Sequence, residues 1–184
     1  MNKSEKTIQK SKIFARFVVL AGGIAIALGA VPSLSAATFV AGKDVQQVLA
    51  MREGLANTTS STVFAALPGA TLTLTLPANQ RNLLIARFAA ESACYGAVGW
   101  CSVRILANGV EMDPIVGSDF AFDSSDNNTE TSSSWESHAM ERSISFPASA
   151  VPIVVTVTVQ RMVTNASLFF RLDDWQLTVE QVRQ

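Results

Sequence analysis

A single histidine, His138, limits the catalytic chemistry that this sequence can support. A serine or cysteine hydrolase needs a base beside its nucleophile, so His138 would have to be that base. Glu136 and Ser137 are close in sequence, but sequence neighbours seldom have the geometry of a triad, and no Gly-x-Ser-x-Gly elbow is present. A zinc site with two histidines is excluded. We therefore predict that His138 is a solvated residue at the junction of a loop and a strand, and we assign no catalytic residue.

Acidic side chains are the remaining candidates for catalysis, because a pair of carboxylates can hydrolyse a glycosidic bond. The candidates are Glu91, Asp119, Asp123, Glu136, Glu141, Asp173 and Asp174. The arginines nearly match these acids in number, so ion pairing explains them as well. A small hydrolase that uses acidic residues is therefore an alternative and not the preferred interpretation.

An oxygen-rich stretch offers a candidate calcium site. Its acids are Asp119, Asp123, Asp126 and Glu130. Calcium takes about six to eight oxygen ligands, often from loops of extracellular β-domains, but the EF-hand spacing is absent here. The other interpretation is a hydrated loop, and we predict no further cofactor or metal.

Three aromatic residues in predicted loops are the best indication of a binding surface. Tyr95 and Trp100 lie inside the short loop between the two cysteines, and Trp135 follows a run of serine and threonine. A flat ring held in a polar loop can stack on a sugar or anchor a protein contact. Alternatively, each ring folds back over the edge of the core.

Cys94 and Cys101 are the only two cysteines. An even number in an exported chain predicts a disulfide, whereas a redox motif prefers Cys-x-x-Cys and a metal site needs more ligands. The loop that they close is short, which corresponds to about 2–3 kcal/mol in the chain-entropy model. We expect the bond to fix the shape of a tip between two strands.

The N-terminal segment predicts export. Residues 1–37 begin with five basic residues against one acid, continue with an apolar run from Phe17 to Val31, and end in Ser35-Ala36-Ala37, the small-x-small pattern of a signal peptidase site. The apolar run is shorter than the roughly 20 residues of a spanning helix, so a cleaved signal is favoured over a membrane anchor. We predict a secreted or periplasmic protein without a stable membrane span.

Period-two alternation from residue 65 onward predicts many short strands. Ala70–Leu76 and Pro152–Arg161 are the clearest, Asn108-Gly109 predicts a hairpin turn, and residues 124–137 predict a long exposed loop. The last two strands are predicted at 167–172 and 175–182. We expect an antiparallel β-sandwich over residues 63–184, jelly-roll-like or immunoglobulin-like. Residues 38–62 are expected to be a lead-in, with helical spacing between Val45 and Leu55 that indicates a short helix or an irregular segment.

Several segments resemble those of small exported bacterial proteins of no assigned activity. They are Ala86–Ser92, Gly99–Arg104, Asp119–Ser124, Trp135–His138 and Phe170–Trp175. The resemblance covers most of the chain after the leader. It implies a bacterial secreted β-sandwich and supplies no catalytic residues.

The preferred hypothesis is a secreted, non-enzymatic recognition module for an extracellular glycan or protein. The second is a structural or assembly subunit at the cell surface that self-associates through strand edges. The chain has a formal net charge of −1, and removal of the basic leader makes it more acidic. Nucleic acid and anionic membrane surfaces are therefore not expected partners.

Overall fold

The computed structural model describes residues 41–117, 120–126 and 129–184, so the predicted signal segment lies outside the described residues. The described residues form ten strands and no helix. They are β1 (Asp44–Glu53), β2 (Asn57–Thr59), β3 (Ala65–Leu76), β4 (Asn82–Gly96), β5 (Gly99–Ala107), β6 (Val110–Glu111), β7 (Asp123–Ser125), β8 (Glu136–Phe146), β9 (Ile153–Val163) and β10 (Leu168–Arg183). No helix that could cross a membrane occurs among these residues.

The strands form two antiparallel sheets that pack face to face, which confirms the predicted β-sandwich. The first sheet has the order β1-β10-β4-β8, and β2 also pairs with β10. The second sheet has the order β3-β9-β5-β6, and β7 also pairs with β5. Consecutive strands therefore often lie in different sheets, so the chain crosses the sandwich repeatedly.

The core lies between the inner faces of the two sheets, where alternate residues of each strand meet. On β9 the valines at 155, 157 and 159 are fully buried, as the alternation of that segment predicts. On the first sheet the largest buried side chains are Phe88 and Trp175, whose ring centroids are 6.2 Å apart. These side chains hold the sheets together, because burying apolar surface is the main favourable term in folding.

The prediction of a short helix between Val45 and Leu55 is wrong, because Asp44–Glu53 form the edge strand β1. β1 pairs with β10 along nearly its whole length, and the partly buried Leu49 and Met51, which are two residues apart, pack against the core. Val45 and Val48, which the helical spacing placed on an apolar face, are exposed. Pairing with a neighbouring strand thus outweighs a weak local helical pattern.

The limits of three strands also differ from those predicted. The segments 167–172 and 175–182 are one strand, β10, interrupted by a bulge between Asp173 and Gln176 that turns Trp175 into the core. The predicted loop over 124–137 begins and ends in strands, since β7 extends to Ser125 and β8 starts at Glu136.

The predicted disulfide between Cys94 and Cys101 is present. It lies at the connection between the consecutive strands β4 and β5, which do not form a hairpin, because Cys94 belongs to the first sheet and Cys101 to the second. The bond therefore joins the two sheets across a corner of the chain. Gly96 has a φ of 113° at this corner, and a Cβ there would collide with the backbone oxygen of Ser167.

Replacing both cysteines with serine should lower the free energy of unfolding by about 2–3 kcal/mol, because the unfolded chain regains the freedom of the closed loop. Denaturant unfolding of the oxidised wild type and of the Cys94→Ser/Cys101→Ser variant measures the difference. A reductant should lower the stability of the wild type and leave that of the variant unchanged. Equal stability of both proteins would contradict the role of the bond as a link between the sheets.

Candidate functional site

The outer face of the first sheet carries a pair of stacked aromatic rings. Tyr95 on β4 and Phe169 on β10 lie directly opposite each other, with ring centroids 5.4 Å apart and an interplanar angle of 20°. Phe169 is 45% exposed, although large apolar side chains are usually buried. The strand alternation explains the position, since Cys94 and Phe170 point inward and their neighbours must point outward.

A tryptophan and an arginine extend this surface. The guanidinium carbon of Arg171 lies 4.7 Å from the centre of the Trp135 ring, which is a cation–π contact. Arg171 is opposite Ala93 in the register, one outward position from the Tyr95–Phe169 pair. We call Tyr95, Trp135, Phe169 and Arg171 the aromatic patch. It presents apolar ring surface beside one delocalised cation.

Two carboxylates occupy the next outward row of the same sheet. Glu91 on β4 is opposite Asp173 on β10, and Glu91 is also opposite Ser137 on β8. The Asp173 carboxylate accepts a hydrogen bond from the backbone N–H of Asp174 at 3.0 Å. Rings, guanidinium and carboxylates thus follow one another along β4 and β10.

A shallow depression of about 550 Å³ continues this face away from the aromatic patch. Two alanines that are opposite each other, Ala89 and Ala139, leave room at its centre. Polar side chains surround them, namely Arg87, Glu141, Gln176 and Thr178. Arg87 forms ion pairs with Glu141 and, at 2.8 Å, with Glu180, and the hydrogen bond with Glu141 is the main reason that the pKa of Arg87 is raised.

Trp100, the third aromatic residue that the sequence singled out, belongs to the other sheet. It lies on β5, next to the inward-facing Cys101, and is 37% exposed. Its backbone N–H donates to the Thr164 hydroxyl at 3.0 Å. Tyr95 and Trp135 therefore belong to the same sheet face, through their contacts with Phe169 and Arg171, whereas Trp100 lies on the other sheet.

A second group of polar side chains lies at the inner edge of the sandwich. Asp123 on β7 and Glu136 and His138 on β8 place one potential metal-ligating atom each within 4.8 Å of one another. Ser92 on β4 lies beneath them, with its hydroxyl 2.7 Å from Asp123 Oδ2 and 2.9 Å from His138 Nδ1. Ser92 is fully buried, so its hydroxyl does not face solvent as a hydrolase nucleophile would.

The four predicted calcium ligands do not form one site among the described residues. Asp123 turns inward, while Asp126 and Glu130 interact within the loop between β7 and β8. There the backbone N–H of Asp126 donates to Glu130, which favours the carboxylate and lowers the pKa of Glu130. Asp119 lies outside the described residues.

Phe169, Arg171 and Ser92 are functional candidates that sequence reasoning missed. Phe169 and Arg171 are two residues apart on an amphipathic strand, which places them on one face, but only the register sets them beside Tyr95 and Trp135. For Ser92 the sequence carries no signal, because its partners are distant in the chain.

No family model and no curated protein matches this chain. Among solved structures, it is similar to dimeric latent PorU from Porphyromonas gingivalis, with a TM-score of 0.37 and 15% sequence identity. The matched region covers 80% of this chain and 14% of that one, so this chain spans a small part of the other protein's length. At this TM-score the likeness carries no argument about function.

Proposed function

We propose that this protein is a secreted, non-enzymatic recognition module that binds an extracellular glycan on the outer face of its first sheet. The observation that carries the proposal is the aromatic patch, in which the Tyr95–Phe169 stack lies one row from the Arg171–Trp135 contact. Phe169 is exposed, and the other three side chains are partly exposed. The predicted leader and the disulfide support a location outside the cytoplasm, where disulfides persist.

The chemistry of this face suits a sugar. Sugar rings have apolar C–H surfaces that pack on aromatic side chains, and hydroxyl groups that need hydrogen-bonding partners. The aromatic patch supplies the apolar contact, and Arg171, Glu91 and Asp173 supply charged donors and acceptors in adjacent rows. Hydrogen bonds to charged groups are about twice as strong as those between neutral groups.

The depression around Ala89 and Ala139 extends the same surface for a chain of more than one sugar. Ala89 is six residues from Tyr95 on β4, a separation of roughly 20 Å along a strand. Gln176 and Thr178 line the depression and can bond hydroxyl groups. A linear oligosaccharide lying along β4 and β10 would contact both ends of the surface.

A glycan array probed with the chain after the leader tests this proposal, with two tryptophan variants as a matched pair. Trp135→Ala should weaken the binding of every glycan hit by at least about tenfold, or about 1.4 kcal/mol, because it removes a ring from the aromatic patch. Trp100→Ala removes the same side chain from the other sheet and should leave binding unchanged. A failure of the folded chain to bind any glycan, or equal loss in both variants, would contradict the proposal.

Catalysis by the facing acids is a separate outcome that the same glycans can reveal. Glu91 and Asp173 are opposite each other on neighbouring strands. A carboxylate-based hydrolase likewise needs two carboxylates close together, one on each side of the bond that it cleaves. We expect no release of reducing ends when the bound glycans are incubated with the wild type. If the wild type releases reducing ends and neither Glu91→Gln nor Asp173→Asn does so, the protein is a hydrolase and the non-enzymatic proposal is wrong.

Self-association as a structural subunit is the second candidate function, and the edge strand β1 favours it. β1 is at the edge of the described first sheet and exposes Val45 and Val48. Such an edge can pair with another chain, although the register irregularity between Val45 and Gln47 weakens it as a template. Sedimentation at increasing protein concentration should show a monomer if the function is recognition. If the function is assembly, it should show ordered oligomers, and the Val48→Lys variant should not form them.

A further inference from the structure

The polar group at the inner edge of the sandwich has the composition of a metal site. Glu136 and His138 are two residues apart on β8, so both side chains are on the face of the strand that turns toward the second sheet. Asp123 reaches them from β7, which belongs to that second sheet. Two carboxylates and one imidazole thus come from both halves of the sandwich, with ligand atoms within 4.8 Å of one another.

The hydrogen bonds beneath this group determine which nitrogen of His138 carries a proton. The Asp123 carboxylate can only accept, so the Ser92 hydroxyl donates its single proton to Asp123 Oδ2 at 2.7 Å. The Ser92 oxygen is then an acceptor, and His138 Nδ1 must donate to it at 2.9 Å. The proton of a neutral His138 is therefore on Nδ1, which leaves a lone pair on Nε2.

That lone pair faces a second acceptor. His138 Nε2 lies 3.4 Å from Glu136 Oε2, and two acceptors at this distance repel each other unless a cation lies between them. Either a proton or a metal ion can supply the charge. The distance suits a metal, because ligands about 2.0–2.1 Å from a tetrahedral zinc ion are separated by about 3.4 Å.

Asp123 and His138 are both held in place by their neighbours. Asp123 is only 7% exposed, and its Oδ1 accepts from the backbone N–H of Ser124 at 2.7 Å, so the carboxylate is fixed in place. His138 is held by Ser92 on one side and by the Phe122 ring, whose centroid is 5.6 Å away, on the other. Metal-ligating histidines characteristically donate their other ring N–H to a hydrogen-bond acceptor, often a carboxylate, and here the Ser92 hydroxyl links His138 Nδ1 to the Asp123 carboxylate. Glu136 is exposed, which gives an ion a path from solvent and leaves a position for water.

We propose that Asp123, Glu136 and His138 bind a divalent first-row transition metal, with Zn²⁺ as the representative ion and His138 Nε2 as its nitrogen ligand. An imidazole ligand favours such an ion over calcium, which prefers oxygen alone. The ion would link β7 of the second sheet to β8 of the first and fix the start of β8, where Trp135 enters the aromatic patch. The site is distinct from the proposed glycan surface and does not depend on it.

The single histidine makes this proposal directly testable. The experiment uses untagged chain without its leader, stripped with a chelator, and titrated with Zn²⁺ while the imidazole nitrogen signals of His138 are followed by NMR. One equivalent of Zn²⁺ should shift the Nε2 signal and leave Nδ1 protonated, and the melting temperature should rise by roughly 5–10 °C at free zinc about one hundred times the Kd. Calcium should produce neither change.

Two glutamates on β8 provide the matched variants. Glu136→Gln should weaken zinc binding by at least about tenfold, whereas Glu141→Gln, on the outward face of the same strand, should not. No binding of Zn²⁺ by the folded, chelator-stripped chain would overturn the proposal. Binding that shifts no His138 signal, or that is equal in both variants, would overturn it as well.

Discussion

Replacing Trp175 with alanine is expected to lower the free energy of unfolding by about 3–5 kcal/mol. Trp175 is 2% exposed and lies beside Phe88 in the core. Removing the indole leaves a cavity that the paired strands on both sides cannot easily close. Because a domain of this kind has a total stability of only about 5–15 kcal/mol, the variant should be close to unfolding at physiological temperature.

Denaturant unfolding followed by far-UV circular dichroism measures this change without relying on tryptophan fluorescence. Trp100→Ala is the matched control, since it removes the same side chain from a partly exposed position and should reduce stability far less. Equal losses in the two variants would mean that Trp175 does not occupy the core position that the bulge in β10 gives it.

The double replacement of Tyr95 and Phe169 by alanine should have the largest effect on ligand binding. Removing both rings deletes the exposed stack of the aromatic patch, and central aromatic contacts commonly contribute at least about 2 kcal/mol, equivalent to roughly 30-fold in Kd. Both side chains are on the outer face, so the fold should survive with a modest loss from the broken ring pair.

Calorimetric titration with the tightest glycan from the array measures this difference. The single variants should each bind more weakly than the wild type, and their losses need not add, because the two rings support each other. Unchanged affinity in a double variant that unfolds at nearly the wild-type temperature would remove the stack from the binding surface.

Much of the fold could be predicted from alternation, because burial on one face imposes a period of two. The strands around Leu72 and Val157 were found for this reason, and their buried valines and leucines are where the pattern puts them. β1 was missed because it is an edge strand whose outward valines mimic a helical spacing. The sequence does not reveal the bulge at Asp174, because a change of register within one strand breaks the alternation in the same way as a turn between two strands.

The candidate site could be predicted only in part, because register and sheet assignment are not local properties. Tyr95 and Trp135 could be chosen by residue type and position near turns, but Trp100 carries the same signal and lies on the other sheet. Similarly, Asp123 was grouped with Asp126 and Glu130, its neighbours in sequence. Its actual partners, Ser92 and His138, are reached only when the sheets pack together.

We propose that the outer face of the first sheet binds a glycan. Mapping amide chemical shifts of the isotope-labelled chain during titration with a glycan from the array tests it most directly. We predict shifts concentrated at Tyr95, Phe169 and Arg171 and extending along β4 toward Ala89, with none around Trp100 and Arg104 on the second sheet. Saturable binding whose shifts cluster on the second sheet would contradict the account.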